Sequence, residues 1–225
     1  MSSTGRSCER RDLDFYPTER RLAGALVDLF VFPDRDPRSI RVLEPSAGDG
    51  SGFIASLLDR GVTQIQACEI SPERAQALRE NYPTVTTSEG DFMSYRPADP
   101  VDLILGNPPF IHAQEHVERA LSLVRTGGIV AMFLRVGFRA TKKRIAFIRD
   151  NTPAIVFEMA ERPCFSGNGG NDSCEYSLFV WIKGHNPRKW IGYPYSWKSP
   201  EQNAADLAGY REDGTSLTVK RALYP

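Results

Sequence analysis

Cysteine is scarce in this chain and unpatterned where it occurs. The 4 cysteines, Cys8, Cys68, Cys164 and Cys174, include no C-x-x-C pair, so neither a disulfide framework nor a cysteine zinc site is indicated. An excess of either charge is missing too. The 28 basic residues are matched by 28 acidic ones, so the whole-chain field does not draw nucleic acid, and phosphate contact needs a local basic face. No long apolar run occurs: the longest, Ile129 to Leu134, is far short of the about 20 residues a membrane-spanning helix needs. The opening MSSTGRSCERRD carries no apolar signal segment. A cytoplasmic, reducing setting without membrane contact is therefore expected. Internal repeats are absent, and a composition of 41% hydrophobic and 25% charged residues suits one ordinary domain with a sizeable core.

Histidine is equally sparse. Two of the 3 stand in His112-Ala113-Gln114-Glu115-His116, which matches the H-x-x-E-H of an inverted zinc protease. The match begins just after a Pro-Pro turn, where a helix is only starting, and the third histidine, His185, lies in the tail. No metal is expected.

What is present is organised around LGNPPF, Leu105 to Phe110, at the end of the apolar run from Val101. Such a run reads as a buried strand, and two prolines forbid both a continued ladder and an immediate helix. Asn107, preceding a proline, is held out of the helical region. Its amide oxygen and the backbone oxygen of Pro108 are two acceptors in fixed directions, Pro109 stiffens the turn, and Phe110 adds a flat apolar face. Two acceptors and an aromatic plane suit a planar group bearing an NH2, such as a base taken out of its stack.

The chain before and after this stretch reads as strands and helices in alternation. Residues 1–14 are polar and flexible by composition, and Phe15-Tyr16-Pro17-Thr18 leads into an amphipathic helix that Thr18 is expected to cap. A strand from Ile40 to Leu43 turns through Glu44-Pro45-Ser46-Ala47-Gly48-Asp49-Gly50-Ser51-Gly52 into a helix. The order strand, glycine-rich turn, helix lets backbone approach a ligand. Phe53 stands where a dinucleotide fingerprint requires glycine, and no P-loop lysine is present, so a pyrophosphate is not expected. Glu69 ends the second strand, where doubly wound folds grip a ribose diol. Ser71-Pro72-Glu73 opens the next helix. Asp91 and Phe92 follow the third strand, on the same sheet edge.

Beyond the fifth strand, Arg135 to Arg144 is the one dense basic stretch, with Phe138 interleaved; Arg139, Lys142, Lys143 and Arg144 are its candidate phosphate contacts. Two last strands, Ala154 to Met159 and Tyr176 to Ile182, flank the polar loop 162–173 and read as a terminal hairpin. The fold class expected is α/β, a doubly wound, mainly parallel seven-stranded sheet with a terminal antiparallel strand. Residues 15–183 form this domain, and 184–225 an irregular tail packing on it.

With these stretches in this order, the chain resembles the S-adenosylmethionine-dependent amino-methyltransferases, specifically the N6-adenine enzymes with an Asn-Pro-Pro-aromatic signature. The similarity runs from about residue 14 to residue 182. It implies a Rossmann-like methyltransferase domain, S-adenosylmethionine as cofactor, and a catalytic turn Asn107, Pro108, Pro109 and Phe110. It also implies Tyr16, Pro17 and Thr18 near the methionine moiety, and Glu44, Pro45, Ala47, Gly48 and Gly50 as the cofactor loop. Glu69 would bind the ribose, Ile70 pack on the adenine, Asp91 accept from its amine with Phe92 nearby, and Asn107 border the cofactor as well. The expected activity is methyl transfer to adenine N6 in DNA, with RNA adenine, protein glutamine or a non-catalytic cofactor-binding scaffold as alternatives. Relatives that read a defined DNA sequence usually carry a sizeable recognition domain, where this sequence offers only the loop 162–173 and the tail. Either recognition is minimal, or a separate partner supplies it, or the substrate is not duplex DNA.

Overall fold

Eight strands form one sheet in the order β3-β2-β1-β4-β5-β7-β6-β8 in the computed structural model, which describes residues 16–31, 36–165, 173–187, 189 and 191–199. The strands are β1 (Arg41–Glu44), β2 (Gln64–Glu69), β3 (Thr86–Glu89), β4 (Val101–Gly106), β5 (Val124–Arg135), β6 (Ile155–Met159), β7 (Tyr176–Ile182) and β8 (Ile191–Tyr195). The helices are α1 (Arg20–Val27), α2 (Phe53–Asp59), α3 (Pro72–Asn81), α4 (Ala113–Leu123) and α5 (Ile145–Asp150). The predicted flexible segment 1–14, much of the loop 162–173 and the tail beyond residue 199 lie outside the described residues.

All strands but β7 run the same way. β7 is antiparallel to both β5 and β6 and lies between them, so the predicted hairpin of β6 and β7 is present, with its second strand inserted next to β5. The count is eight where seven were expected. β8 falls in the stretch predicted to be an irregular tail; its Pro194 masked it as a strand, yet β8 is the edge, where a missing ladder N–H is tolerated. Tyr195 then anchors the stretch, its buried hydroxyl donating to the carbonyl of Ala25 at 2.8 Å.

Helices cover both faces, as the doubly wound reading requires. Leu103 and Leu105 of β4 pack with Leu22 and Leu26 of α1, Ile54 and Leu57 of α2 and Leu78 of α3. Ile104 points the other way, into a cluster with Val117 and Ala120 of α4 and Phe147 of α5. This alternation is what buries β4 on both sides, and a strand buried on both sides needs the near-continuous apolar run seen in its sequence. Phe138, the aromatic of the basic stretch, belongs to the same cluster, edge-on to Phe147, Phe179 and Trp181.

The strand order turns back between β1 and β4, which pair in parallel at Val42–Leu103 and Leu43–Ile104. In open α/β sheets the crevice beyond the carboxyl ends of the strands at such a switch point collects ligands. Here those ends are Glu44 and Gly106.

Candidate active site

β1 and β4 end so close together that a Cβ on Gly106 would lie 3.0 Å from Pro45 Cδ. The chain leaves β1 through a turn in which Gly48 and Gly50 take positive φ, 60° and 78°. A cavity of about 560 Å³ opens beside this turn, a size within the range of small-molecule sites. Of the sequence-predicted residues, Tyr16, Pro17, Thr18, Glu44, Pro45, Ala47, Glu69, Ile70, Asp91, Phe92, Asn107 and Pro109 line it; Gly48, Gly50, Pro108 and Phe110 do not.

The glycines divide the work differently from the expectation. A Cβ on Gly50 would sit 2.6 Å from Leu78 and 2.7 Å from Tyr82, so this glycine makes room for α3. Gly52, not singled out in the sequence, meets the N-terminal segment: a Cβ there would lie 2.8 Å from the Thr18 carbonyl oxygen. Gly48 donates its N–H to Glu69 Oε2 at 2.8 Å and so ties the turn to β2.

Asn107 leaves β4 into the Pro-Pro turn with its amide nitrogen pinned. Nδ2 donates to the Tyr16 carbonyl at 3.0 Å and to Thr18 Oγ1 at 3.2 Å. A carbonyl can only accept, so the NH2 must face it and the oxygen must face away. That oxygen, Oδ1, is buried and has no hydrogen-bond partner among the described residues. Thr18 is thus not the helix cap predicted for it: Glu19 holds the cap position of α1 without a side-chain bond, and the threonine hydroxyl serves Asn107 instead.

Phe110 is not the open face expected from the sequence. Tyr16 stacks on it with centroids 5.4 Å apart and planes at 26°, and the Arg135 guanidinium lies 4.9 Å from the ring centre. Tyr176 packs beside it at 5.4 Å. The reason is tertiary, because Tyr16 and Arg135 come from segments remote in sequence.

Glu69 is buried at the end of β2 and already engaged. Oε2 accepts from Gly48, while Oε1 accepts from the Ser71 N–H at 2.9 Å and from Arg74 at 3.1 Å. A carboxylate offers about four acceptor directions, so one on Oε2 is left for a ligand hydroxyl. Ile70, next in the chain, is 52% exposed and presents an apolar side chain to the cavity. Asp91 Oδ1 accepts the Met93 N–H at 2.9 Å, a local turn that positions the carboxylate. The Phe92 ring is buried and stacks on His116.

Glu44 is the second cavity-lining side chain with an orphaned atom. It is buried at the end of β1, and Oε2 has no partner among the described residues. Burial first, then the charges of Glu69 and Asp49, push its pKa well above the ordinary carboxyl value, against a bond from the Ile54 N–H. Burial also drives the Cys68 thiol up to about 12, so this cysteine is no thiolate nucleophile.

The basic stretch lies on two 3-10 turns, Val136–Arg139 and Lys142–Arg144. Arg139 pairs with Glu158 at 3.0 Å, and Arg144 lies over the Phe138 ring and donates to its carbonyl. Lys142 and Lys143 are exposed. No group of three or more metal-ligating side chains occurs among the described residues, and no helix there is long and apolar enough to cross a membrane.

No protein-family model and no curated protein sequence matches the chain. Solved structures do. A candidate class I S-adenosylmethionine-dependent methyltransferase from Listeria monocytogenes superposes with a TM-score of 0.71 at 13% identity, over 94% of this chain and 74% of its own. The methyltransferase subunit of a type I restriction-modification system from Streptococcus thermophilus gives 0.63 at 14% identity, over 77% of this chain and 46% of its own. The 23S rRNA methyltransferase ErmE gives 0.53 at 18% identity, over 78% of this chain and 72% of its own. The chain therefore spans just under half the length of the restriction-modification subunit. At such identities the likeness is one of fold: the chain has the Rossmann-like fold of class I S-adenosylmethionine-dependent methyltransferases.

Proposed function

We propose that the protein transfers a methyl group from S-adenosylmethionine to the N6 amine of adenine in DNA. The observation that carries this reading is Asn107 Oδ1, a buried acceptor left without a partner while its own NH2 is held by Tyr16 and Thr18. A lone pair desolvated in that way is costly unless a donor arrives. An exocyclic amine brings two N–H donors, and Oδ1 with the Pro108 carbonyl accepts both.

The cofactor supplies an electrophilic methyl: a C–N bond forms as the C–S bond breaks, the sulfonium becomes a thioether, and one amine proton leaves to solvent. The protein residues orient and polarise. By holding the amine protons out of the ring plane, Asn107 and Pro108 localise a lone pair that the purine otherwise delocalises, and preorganised acceptors of this kind act without reorganisation. Tyr16, Pro17, Thr18, Glu44, Pro45 and Ala47 surround the methionine end, and Gly48 holds the turn to Glu69. Glu69 takes a ribose hydroxyl, Ile70 covers the adenine, and Asp91 accepts from its amine. Phe110 receives the target base once Tyr16 or Arg135 gives way, and Arg139, Lys142, Lys143 and Arg144 contact the phosphates.

Two of the proteins similar in fold are described by their names as acting on nucleic acid, through restriction-modification or as an rRNA methyltransferase, which supports a nucleic-acid substrate. Incubation with tritiated cofactor and duplex DNA, single-stranded DNA, RNA or protein, followed by nucleoside mass spectrometry, tests the reading. Label on adenine N6 is expected; label on cytosine or on glutamine, with none on adenine, would overturn the substrate.

A further inference from the structure

One wall of the cavity is left unexplained by the strand-end residues. Ile111, His112, Glu115 and His116, from the start of α4 and the turn before it, line the space together with Asp91 and Phe92. His116 is the buried polar member, 7% exposed, its ring stacked on Phe92 with centroids 5.5 Å apart. Its Nδ1 lies 2.9 Å from the His112 carbonyl oxygen. Because a carbonyl only accepts, Nδ1 carries the proton. Burial lowers the imidazole pKa from its ordinary value, so the ring is neutral at pH 7. A neutral ring protonated at Nδ1 has a bare Nε2, an acceptor only, and this atom has no hydrogen-bond partner among the described residues.

We infer that His116 selects the purine of the cofactor, its Nε2 accepting the second N–H of the exocyclic amine whose first N–H goes to Asp91. The inference rests on the S-adenosylmethionine reading above. An amine with one acceptor leaves a buried proton unmatched, and His116 removes that cost. A 6-oxo purine presents a lone pair where the amine presents a proton, so the same nitrogen repels it. Ile70 and Ile111, 52% and 56% exposed, supply apolar surface for the ring faces.

Calorimetry with S-adenosylhomocysteine and with S-inosylhomocysteine, its 6-oxo counterpart, separates the possibilities. Wild type should prefer the adenosyl ligand, and His116→Leu should lose about tenfold for that ligand alone, the scale of one buried hydrogen bond. His116→Gln, which keeps a donor for the His112 carbonyl and an acceptor for the cavity, should retain the preference. Acidification should shrink the wild-type preference as Nε2 gains a proton, and should spare the glutamine variant; Asp91, Glu115 and His112 are the charged groups acting on the ring. Should the leucine variant fail to fold, the acid titration of wild type against the glutamine variant still decides. Equal losses for both ligands, or no loss, would overturn the role of His116 while leaving the cofactor reading standing. Wild type binding neither ligand would overturn both.

Discussion

Asn107 and Glu69 end neighbouring parts of the same sheet and face the same cavity, yet their own chain treats them in opposite ways. Glu69 has both oxygens occupied by Gly48, Ser71 and Arg74. Asn107 has its nitrogen occupied and its oxygen orphaned. A satisfied carboxylate holds a turn in place and shares its remaining lone pair with a ligand. An orphaned amide oxygen stabilises nothing in the free protein; under the proposed function it is the atom that meets the substrate amine. The first arrangement suits binding, the second chemistry.

The largest effect should come from breaking the second. Asn107→Ala should lower kcat by about 100- to 1000-fold, the usual consequence of removing one preorganised polar group at a reacting centre, with cofactor affinity by calorimetry retained. Thr18→Ala sharpens the same point, since it removes one of the two acceptors that hold the amide nitrogen and leaves the Tyr16 carbonyl: a smaller fall in kcat is expected.

The opposite signature is expected at Glu69. Glu69→Ala should weaken cofactor binding and leave kcat at saturation nearly unchanged, and it should also lower stability by about 1–3 kcal/mol for each buried donor left unmatched. A kcat loss at saturating cofactor as large as that of Asn107→Ala would erase the distinction drawn between the two sites.

Glu44, the other cavity-lining residue with an orphaned atom, gives a pH-dependent test. Its folded pKa is raised, so the native state holds the proton more tightly than the unfolded chain does; the stability this provides is complete below the ordinary carboxyl value of 4.5 and is lost as pH rises toward the folded pKa. Glu44→Gln imitates the protonated acid. Its Tm should exceed wild type by a few degrees at pH 8 and converge with it near pH 4, measured by thermal denaturation. A lower Tm at pH 8 would mean that the ionised carboxylate is the favoured form.

The smallest effect is expected at the exposed lysines of the basic stretch, which do not line the cavity. Lys142→Ala with Lys143→Ala should leave folding and cofactor binding unchanged and flatten the log–log salt dependence of duplex-DNA binding by about 0.9 unit for each phosphate no longer neutralised. An unchanged slope would return the stretch to an ordinary solvated surface.

The legibility of the molecule follows the range of the forces involved. β7 has the bounds read from the sequence, β2 ends at Glu69 as read, and β4 is marked by an apolar run that only a strand covered on both faces requires. Ser71 caps α3 and Pro72 opens it, as their order predicts. β8 was hidden by Pro194, because whether a proline breaks a strand depends on which neighbour is absent, a fact of the sheet edge. Thr18 reads as a cap since the rule is local, whereas its hydroxyl answers to Asn107, 89 positions away. The shielding of Phe110 by Tyr16 and Arg135 left no local trace either.

By itself the sequence determined the α/β alternation, the positions of the strand ends and the chemical types standing there, because apolar periodicity, prolines and turn residues act over a few bonds. Only the tertiary structure decided which atoms at those ends remain unmatched. Gly50 serves helix packing, Gly52 admits the N-terminal segment, Glu69 is occupied, and Glu44 Oε2, Asn107 Oδ1 and His116 Nε2 have no partner among the described residues. Hydrogen-bond satisfaction is a property of groups brought within about 3 Å across the fold, and sequence proximity does not encode it.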